Sequence, residues 1–150
     1  MKNKKNASLN QKKLIKGKKD ELELKLITRT DLEWARKARN EYRQYFISQK
    51  TISSKQQQEW FARYNGSFFI IWVDKKRAGT ISVSKDNEIG NVLILEPYQG
   101  KGIFKQVLKL IEKKFGQHLF LVVKSENKHA IKVYKKMGFK IVSHQMEKHK

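Results

Sequence analysis

Apolar and polar positions change period several times along the chain, and each change marks an element. Leu22, Leu24 and Leu26 alternate with Glu23 and Lys25, the period of a strand with one face buried. Thr30-Asp31 provides capping residues, and Leu32, Ala35, Ala38 and Tyr42 then share related helical faces, predicting a helix to about Tyr45. Ser53-Ser54, with Gln57 three residues beyond Ser54, predicts a capping box and a second helix through Trp60, Phe61 and Tyr64. Asn65-Gly66 stops it. Residues 67–73 (SFFIIWV) are a dense β-branched and aromatic strand, residues 74–77 a polar turn and residues 78–84 its hairpin partner. Asp86-Asn87 turns the chain into a strand over residues 88–95. The period then switches: Phe104, Val107, Leu108, Ile111 and Phe115 step by three and four, an amphipathic helix over residues 102–115 with Gly116 at its end. Residues 118–123 (HLFLVV) predict a strand buried on both faces. Residues 128–137 predict a helix with Ala130, Ile131 and Tyr134 inward, and residues 139–144 a last strand. The sum is an α/β (α+β) domain: a mixed, mostly antiparallel six-stranded sheet flanked by about four helices.

Composition narrows the chemistry. A chain of 150 residues with 39% apolar content suits one domain. The absence of cysteine excludes disulfides, thiolate metal sites and a cysteine nucleophile, and no His or carboxylate spacing suggests a metal. No run of 18 apolar residues predicts a membrane span, and no apolar stretch behind the first lysines predicts a secretory signal, so a cytoplasmic location is expected. The net charge of +20 favours anionic partners. It is uneven: residues 1–19 hold eight lysines and no acid. Residues 1–20 are therefore read as a disordered Lys-rich tail and residues 21–150 as the domain. The tail reads either as an arm that touches nucleic acid or as a solvated leader. The second is favoured, because Lys outnumbers Arg 28 to 6, as AT-rich codon bias would give.

The richest stretch in chemical terms is residues 95–104 (LEPYQGKGIF), where a strand ends, a glycine turn follows and a helix begins. Glycines let backbone approach a ligand and take positive φ, and a helix N-terminus offers free N–H groups and a positive dipole end. Lys101 and Lys105 add charge, and a diphosphate is the natural guest. The spacing fits neither a Walker loop nor the dinucleotide fingerprint.

This stretch resembles the pyrophosphate motif of the GNAT N-acetyltransferase family, Gln/Arg-x-x-Gly-x-Gly/Ala. Gln99, Gly100, Lys101, Gly102 and Ile103 fit it, and Phe104 departs from its small last residue. Downstream, Asn127-x-x-Ala130-x-x-x-Tyr134-x-x-x-Gly138-Phe139 is similar to the family's signature after its fifth strand. The resemblance spans roughly residues 21–144. It implies the GNAT fold with its seventh strand missing or very short, an exposed sheet edge or a homodimer that covers it, and acetyl-CoA as co-substrate. It implies that the backbone of residues 100–104 holds the coenzyme diphosphate, with a bulge near Pro97 where pantetheine pairs with the strand edge. It also implies that Leu95 presents backbone groups to the thioester, that Asn127 touches the coenzyme arm, and that Tyr134 gives a proton to the departing thiolate. A phenol of reference pKa about 10 suits a thiolate of about 8–9. Read from the residues alone, Tyr134 is a core aromatic and Asn127 a helix cap. Glu88 matches a carboxylate that in the family removes the amine proton through water, and it equally suits a turn charge.

The first two helices shape the acceptor side in this family. Arg39-Asn40 and the later Gln57-x-x-Trp60-Phe61 resemble the subgroup of amino-sugar-nucleotide and ribosomal-protein N-terminal acetyltransferases. Arg39, Asn40, Arg43 and Trp60 are the candidate acceptor contacts, arginine suiting phosphate and an aromatic suiting a sugar or base face. The expected activity is acetyl transfer from acetyl-CoA to a primary amine of a small molecule such as an amino sugar, by direct attack in a ternary complex. The alternatives are a protein N-terminal acetyltransferase, and a catalytically weak coenzyme- or anion-binding module with a tail that touches nucleic acid.

Overall fold

The computed structural model describes residues 15–16 and 21–149. The elements run β1 (Ile15–Lys16), β2 (Glu23–Leu26), α1 (Arg29–Glu41), α2 (Ser54–Arg63), β3 (Gly66–Val73), β4 (Lys76–Ser84), β5 (Glu88–Ile94), α3 (Ile103–Phe115), β6 (Phe120–Leu121) and α4 (Lys128–Lys136). They make one mixed sheet in sequence order, β1 to β6. Five strands from β2 onward form its body, and the two-residue β1 extends its edge. Every neighbouring pair is antiparallel except β5 and β6, which are parallel. The expected N-terminal tail falls outside the described residues, apart from β1. No helix among the described residues is long and apolar enough to cross a membrane.

Strand alternation sorts the helices onto two faces. Phe68 meets the Trp60 ring of α2, while its neighbour Phe69 meets Phe115 of α3. On the α3 side, Ile103, Val107, Leu108 and Ile111 seal against Leu24, Phe69, Ile71, Ile81, Val83 and Ile89. Each such side chain contributes about 1.5–3 kcal/mol on burial. On the other side, α1 buries Leu32, Ala35 and Ala38. A polar clasp fixes its start. Asp31 Oδ2 accepts the Thr28 N–H at 3.0 Å, and Asp31 Oδ1 accepts from Arg77 Nη2 at 2.8 Å and Nε at 3.1 Å. The Arg77 guanidinium also lies over the rings of Trp34 and Trp72. Burial opposes the charge of Asp31, but the bonds from Thr28 and Arg77 outweigh it and hold its carboxyl below the usual value.

Several predicted elements differ. The capping box forms one residue earlier, with Ser53 as cap and Gln56 as its partner, so Gln57 is released from it. The helix expected to Tyr45 ends at Glu41, and a 3-10 turn covers Arg43–Tyr45. The strand over residues 118–123 shrinks to β6, with Phe120 and Val122 exposed rather than buried. Beyond Leu121 that segment has no pairing with β5. The last strand, over residues 139–144, is absent. Phe139 instead folds back, its N–H bonded to the Tyr134 carbonyl at 3.0 Å, and residues 140–149 are exposed. A two-residue β6 is too short a template for another strand.

Candidate active site

The site grows from the place where β5 and β6 part. They pair only at Glu88 with Phe120 and Ile89 with Leu121. Toward Leu95 the β6-facing edge of β5 is left without a strand partner, while its other edge stays bonded to β4 through Leu95 N–H to the Ala78 carbonyl at 2.8 Å. The chain leaves β5 through a 3-10 turn, Glu96–Tyr98, and enters the glycine loop. Gln99 ties this loop back to the strand, its Nε2 donating to the Ile94 carbonyl at 2.8 Å. Tyr42 at the end of α1 braces the same turn by accepting the Glu96 N–H at 3.0 Å.

Gly100 and Gly102 have φ of 74° and 73°, left-handed values that favour glycine, and a Cβ at either would point into open space. Gly102 caps α3, and no acceptor among the described residues takes the backbone N–H groups of residues 100–105. A row of free amides at a helix N-terminus, beside exposed Lys101 and Lys105, is a cradle for a diphosphate. The open space at both glycines fits the coenzyme expected there. No group of three or more His, Cys, Asp or Glu among the described residues could hold a metal ion.

Tyr134 comes to this loop from α4. Its ring meets Phe104 edge-on at 5.5 Å and Phe139 at 5.8 Å, and its hydroxyl has no partner among the described residues. Phe104, the departure from the family motif, therefore turns onto Tyr134 as its wall. Burial raises the Tyr134 pKa above its usual 10.0. Asn127 caps α4 by accepting the Ala130 N–H at 3.2 Å. The expected bulge lies within β5 rather than near Pro97. Thr80 pairs with Leu93 but Ser82 with Gly90, and Asn91 between them has φ of 50°. Thr80 Oγ1 donates to the Asn91 carbonyl at 2.6 Å, and Asn91 Nδ2 donates to Ser82 Oγ at 2.9 Å.

On the α1–α2 face of this bulge is a pocket of about 250 Å³, lined among others by Arg39, Gln57, Trp60, Phe68, Thr80 and Asn91. Of the four candidate acceptor contacts, Arg39 and Trp60 line it and Asn40 and Arg43 do not. Arg39 spends its guanidinium on the adjoining loop, donating to the carbonyls of Lys50 at 2.6 Å and Ser48 at 2.7 Å. Partial burial lowers its pKa. Asn40 holds the Ile52 backbone from both sides, at 2.8 and 2.9 Å. Arg43 donates to the Asn40 carbonyl. Trp60 stacks on Tyr64 at 4.6 Å.

Glu88 opens β5, at the end opposite the glycine loop; seven residues on, Leu95 is about 23 Å along the strand. It faces Tyr64 instead. Burial raises the Tyr64 pKa, a hydrogen bond with Ser82 lowers it, and the Glu88 charge raises it further. Thr80, Asn91 and Tyr42 are the site residues that sequence reading missed, and Gln57 entered it only as a capping partner and within the Gln57-x-x-Trp60-Phe61 resemblance. Gly90-Asn91 inside a strand was the available signal for the bulge. Nothing in the sequence pointed to Tyr42.

The profile of the acetyltransferase (GNAT) family matches residues 33–139. Among solved structures, the fold resembles RimL, a ribosomal L7/L12 α-N-protein acetyltransferase solved with coenzyme A. The TM-score is 0.70 and the identity 16%, over 87% of this chain and 86% of that one. It resembles a possible acetyltransferase from Clostridium difficile 630 with TM-score 0.66 and 18% identity, over 86% and 97% of the two chains. A spermidine N-acetyltransferase chimera of Vibrio cholerae SpeG and hSSAT gives TM-score 0.65 and 21% identity, over 82% of each. At these identities the likeness is one of fold. A search of curated proteins finds no significant match. With the family profile covering most of the chain, the chain belongs to the acetyltransferase (GNAT) family, whose members use acyl-CoA.

Proposed function

We propose that this chain transfers the acetyl group of acetyl-CoA to a primary amine of a small molecule of amino-sugar size, by direct attack in a ternary complex. One observation carries the reading: the unpaired amides of residues 100–105 stand at the mouth of the parted strands, one ring away from the Tyr134 hydroxyl. Bound acetyl-CoA supplies a thioester whose C–S bond breaks as the amine's C–N bond forms. The amides of Gly100 through Phe104 hold the diphosphate, and the free edge of β5 down to Leu95 pairs with the amide-bearing arm as an added strand. Asn127, through the part of its amide not used as a cap, bonds the same arm. Tyr134 donates its phenolic proton to the departing sulfur. The amine enters from the Arg39–Trp60 pocket. Arg39 disfavours a protonated amine nearby, and the proton it loses passes toward Glu88 along the polar line of Asn91, Ser82 and Tyr64, with water completing the path.

The test is calorimetry with acetyl-CoA, followed by a thiol-release assay over amino sugars, amino-sugar nucleotides, aminoglycosides, polyamines and N-terminal peptides. Binding and turnover with an amino sugar are expected. Absence of binding at millimolar acetyl-CoA overturns the reading, and peptides as sole acceptors would replace the small-molecule assignment.

A further inference from the structure

Gln57 is a largely buried residue whose amide makes no hydrogen bond among the described residues. It is 8% exposed, it lines the acceptor pocket, and its side chain has no partner among the described residues. Its neighbours are employed: Gln56 closes the helix cap and Gln58 reaches Ser54. The one-residue shift of the capping box leaves Gln57 for the pocket. Among the described residues the buried side-chain polar atom left without a partner is Trp72 Nε1, so the Gln57 amide keeps contact with solvent at the pocket, where a ligand can take over its hydrogen bonds. Around it the pocket holds two further polar groups on its floor, Thr80 and Asn91, aromatic walls from Trp60 and Phe68, and the Arg39 cation. No aspartate or glutamate lines it. At about 250 Å³ it is smaller than the ~300–1,000 Å³ of drug-sized sites, so its guest is compact.

Resting on the acetyl-transfer reading above, we propose that Gln57 determines acceptor specificity. Its amide bonds a hydroxyl of a compact, hydroxylated amine that carries no second positive charge. Polycationic amines are rejected, because their further charges would lie beside Arg39 with no carboxylate to pair them.

Full-length wild type, Gln57→Leu and Gln57→Glu separate the outcomes. Acetyl-CoA is titrated by calorimetry, melting is followed without acceptor, and transfer is measured to glucosamine 6-phosphate and to spermidine. Gln57→Leu should bind acetyl-CoA as wild type does and melt no lower, since it replaces an unpaired amide with an apolar group of similar size. Its KM for glucosamine 6-phosphate should rise about tenfold with kcat little changed. Gln57→Glu should shift the kcat/KM ratio toward spermidine by about tenfold or more, by supplying the missing carboxylate. An unchanged KM in Gln57→Leu, a clear fall in its melting temperature, or a wild type that prefers spermidine overturns the proposal. So does a wild type that binds acetyl-CoA but accepts neither probe. A wild type that does not bind acetyl-CoA overturns the acetyl-transfer reading itself, and the proposal with it.

Discussion

Tyr134 combines an apolar setting with an unpaired hydroxyl, and both bear on its chemistry. The rings of Phe104 and Phe139 strip water from it and raise its pKa above 10.0. The phenol therefore stays protonated through the range in which an acceptor amine loses its proton. kcat/KM should rise with pH as the amine becomes neutral and should not fall until above pH 10. A pH profile that declines near pH 8 would remove Tyr134 as the acid. Tyr134→Phe keeps the ring contacts and loses the proton, so kcat should drop by about 10²-fold with acetyl-CoA affinity unchanged in calorimetry. Gly102 tests the other half of the site. Its φ of 73° would strain an alanine by about 1–2 kcal/mol, although the new methyl meets open space in the free chain. Gly102→Ala should therefore lower the melting temperature only by several degrees, while acetyl-CoA binding weakens more than tenfold because the methyl enters the cradle.

Among the elements, α1 is tied to the sheet at its start by a polar clasp. Asp31 joins the Thr28 cap to Arg77 of β4, and Arg77 in turn rests on two tryptophans. Asp31→Asn should destabilise the fold by about 1–3 kcal/mol at neutral pH, read by urea denaturation. The sign with pH follows from the lowered carboxyl pKa. The contribution is complete above the unfolded value near 3.8 and is lost as pH falls through the lower folded one. Wild type and variant should thus converge in strongly acidic solution. Little of this clasp was legible in the sequence, because the pairing of Asp31 with Arg77 is made by the sheet and not by spacing along the chain. What was legible is whatever repeats locally. The dense β-branched and aromatic run of residues 67–73, its hairpin partner over residues 78–84 and the three-four stepping of Val107, Leu108 and Ile111 each became the predicted element. The glycine loop was legible as well, since Gly100 and Gly102 announce positive φ by composition. Failures came where a neighbour decides. Residues 139–144 have the composition of a strand, but β6 is too short to pair with them. Arg39 and Asn40 have the composition of ligand contacts, but the loop over residues 48–52 takes their hydrogen bonds.

For the molecule as a whole, the question is which of its charges serve the coenzyme. A net +20 attracts any polyanion, yet screening limits the reach of each charge to a Debye length of about 8 Å at physiological salt. The sheet order then sets distance. β1, where the N-terminal segment joins the fold, lies four strand spacings from β5, about 19 Å from the edge that leads to the cradle. Lys101 and Lys105 lie within the loop and the first turn of α3. Local lysines should therefore govern acetyl-CoA affinity, and distant ones should matter only when screening is weak. Removing residues 1–13 takes away five lysines without touching β1. At 150 mM salt this truncation should leave acetyl-CoA affinity within about twofold, whereas Lys101→Gln with Lys105→Gln, a smaller change in charge, should weaken it by about tenfold. Repeating the calorimetry at 10 mM salt, where the Debye length is about 30 Å, should bring out a loss in the truncated chain. An equal loss at 150 mM salt in both variants would mean that the N-terminal lysines reach the coenzyme directly, and that the charge works as a whole.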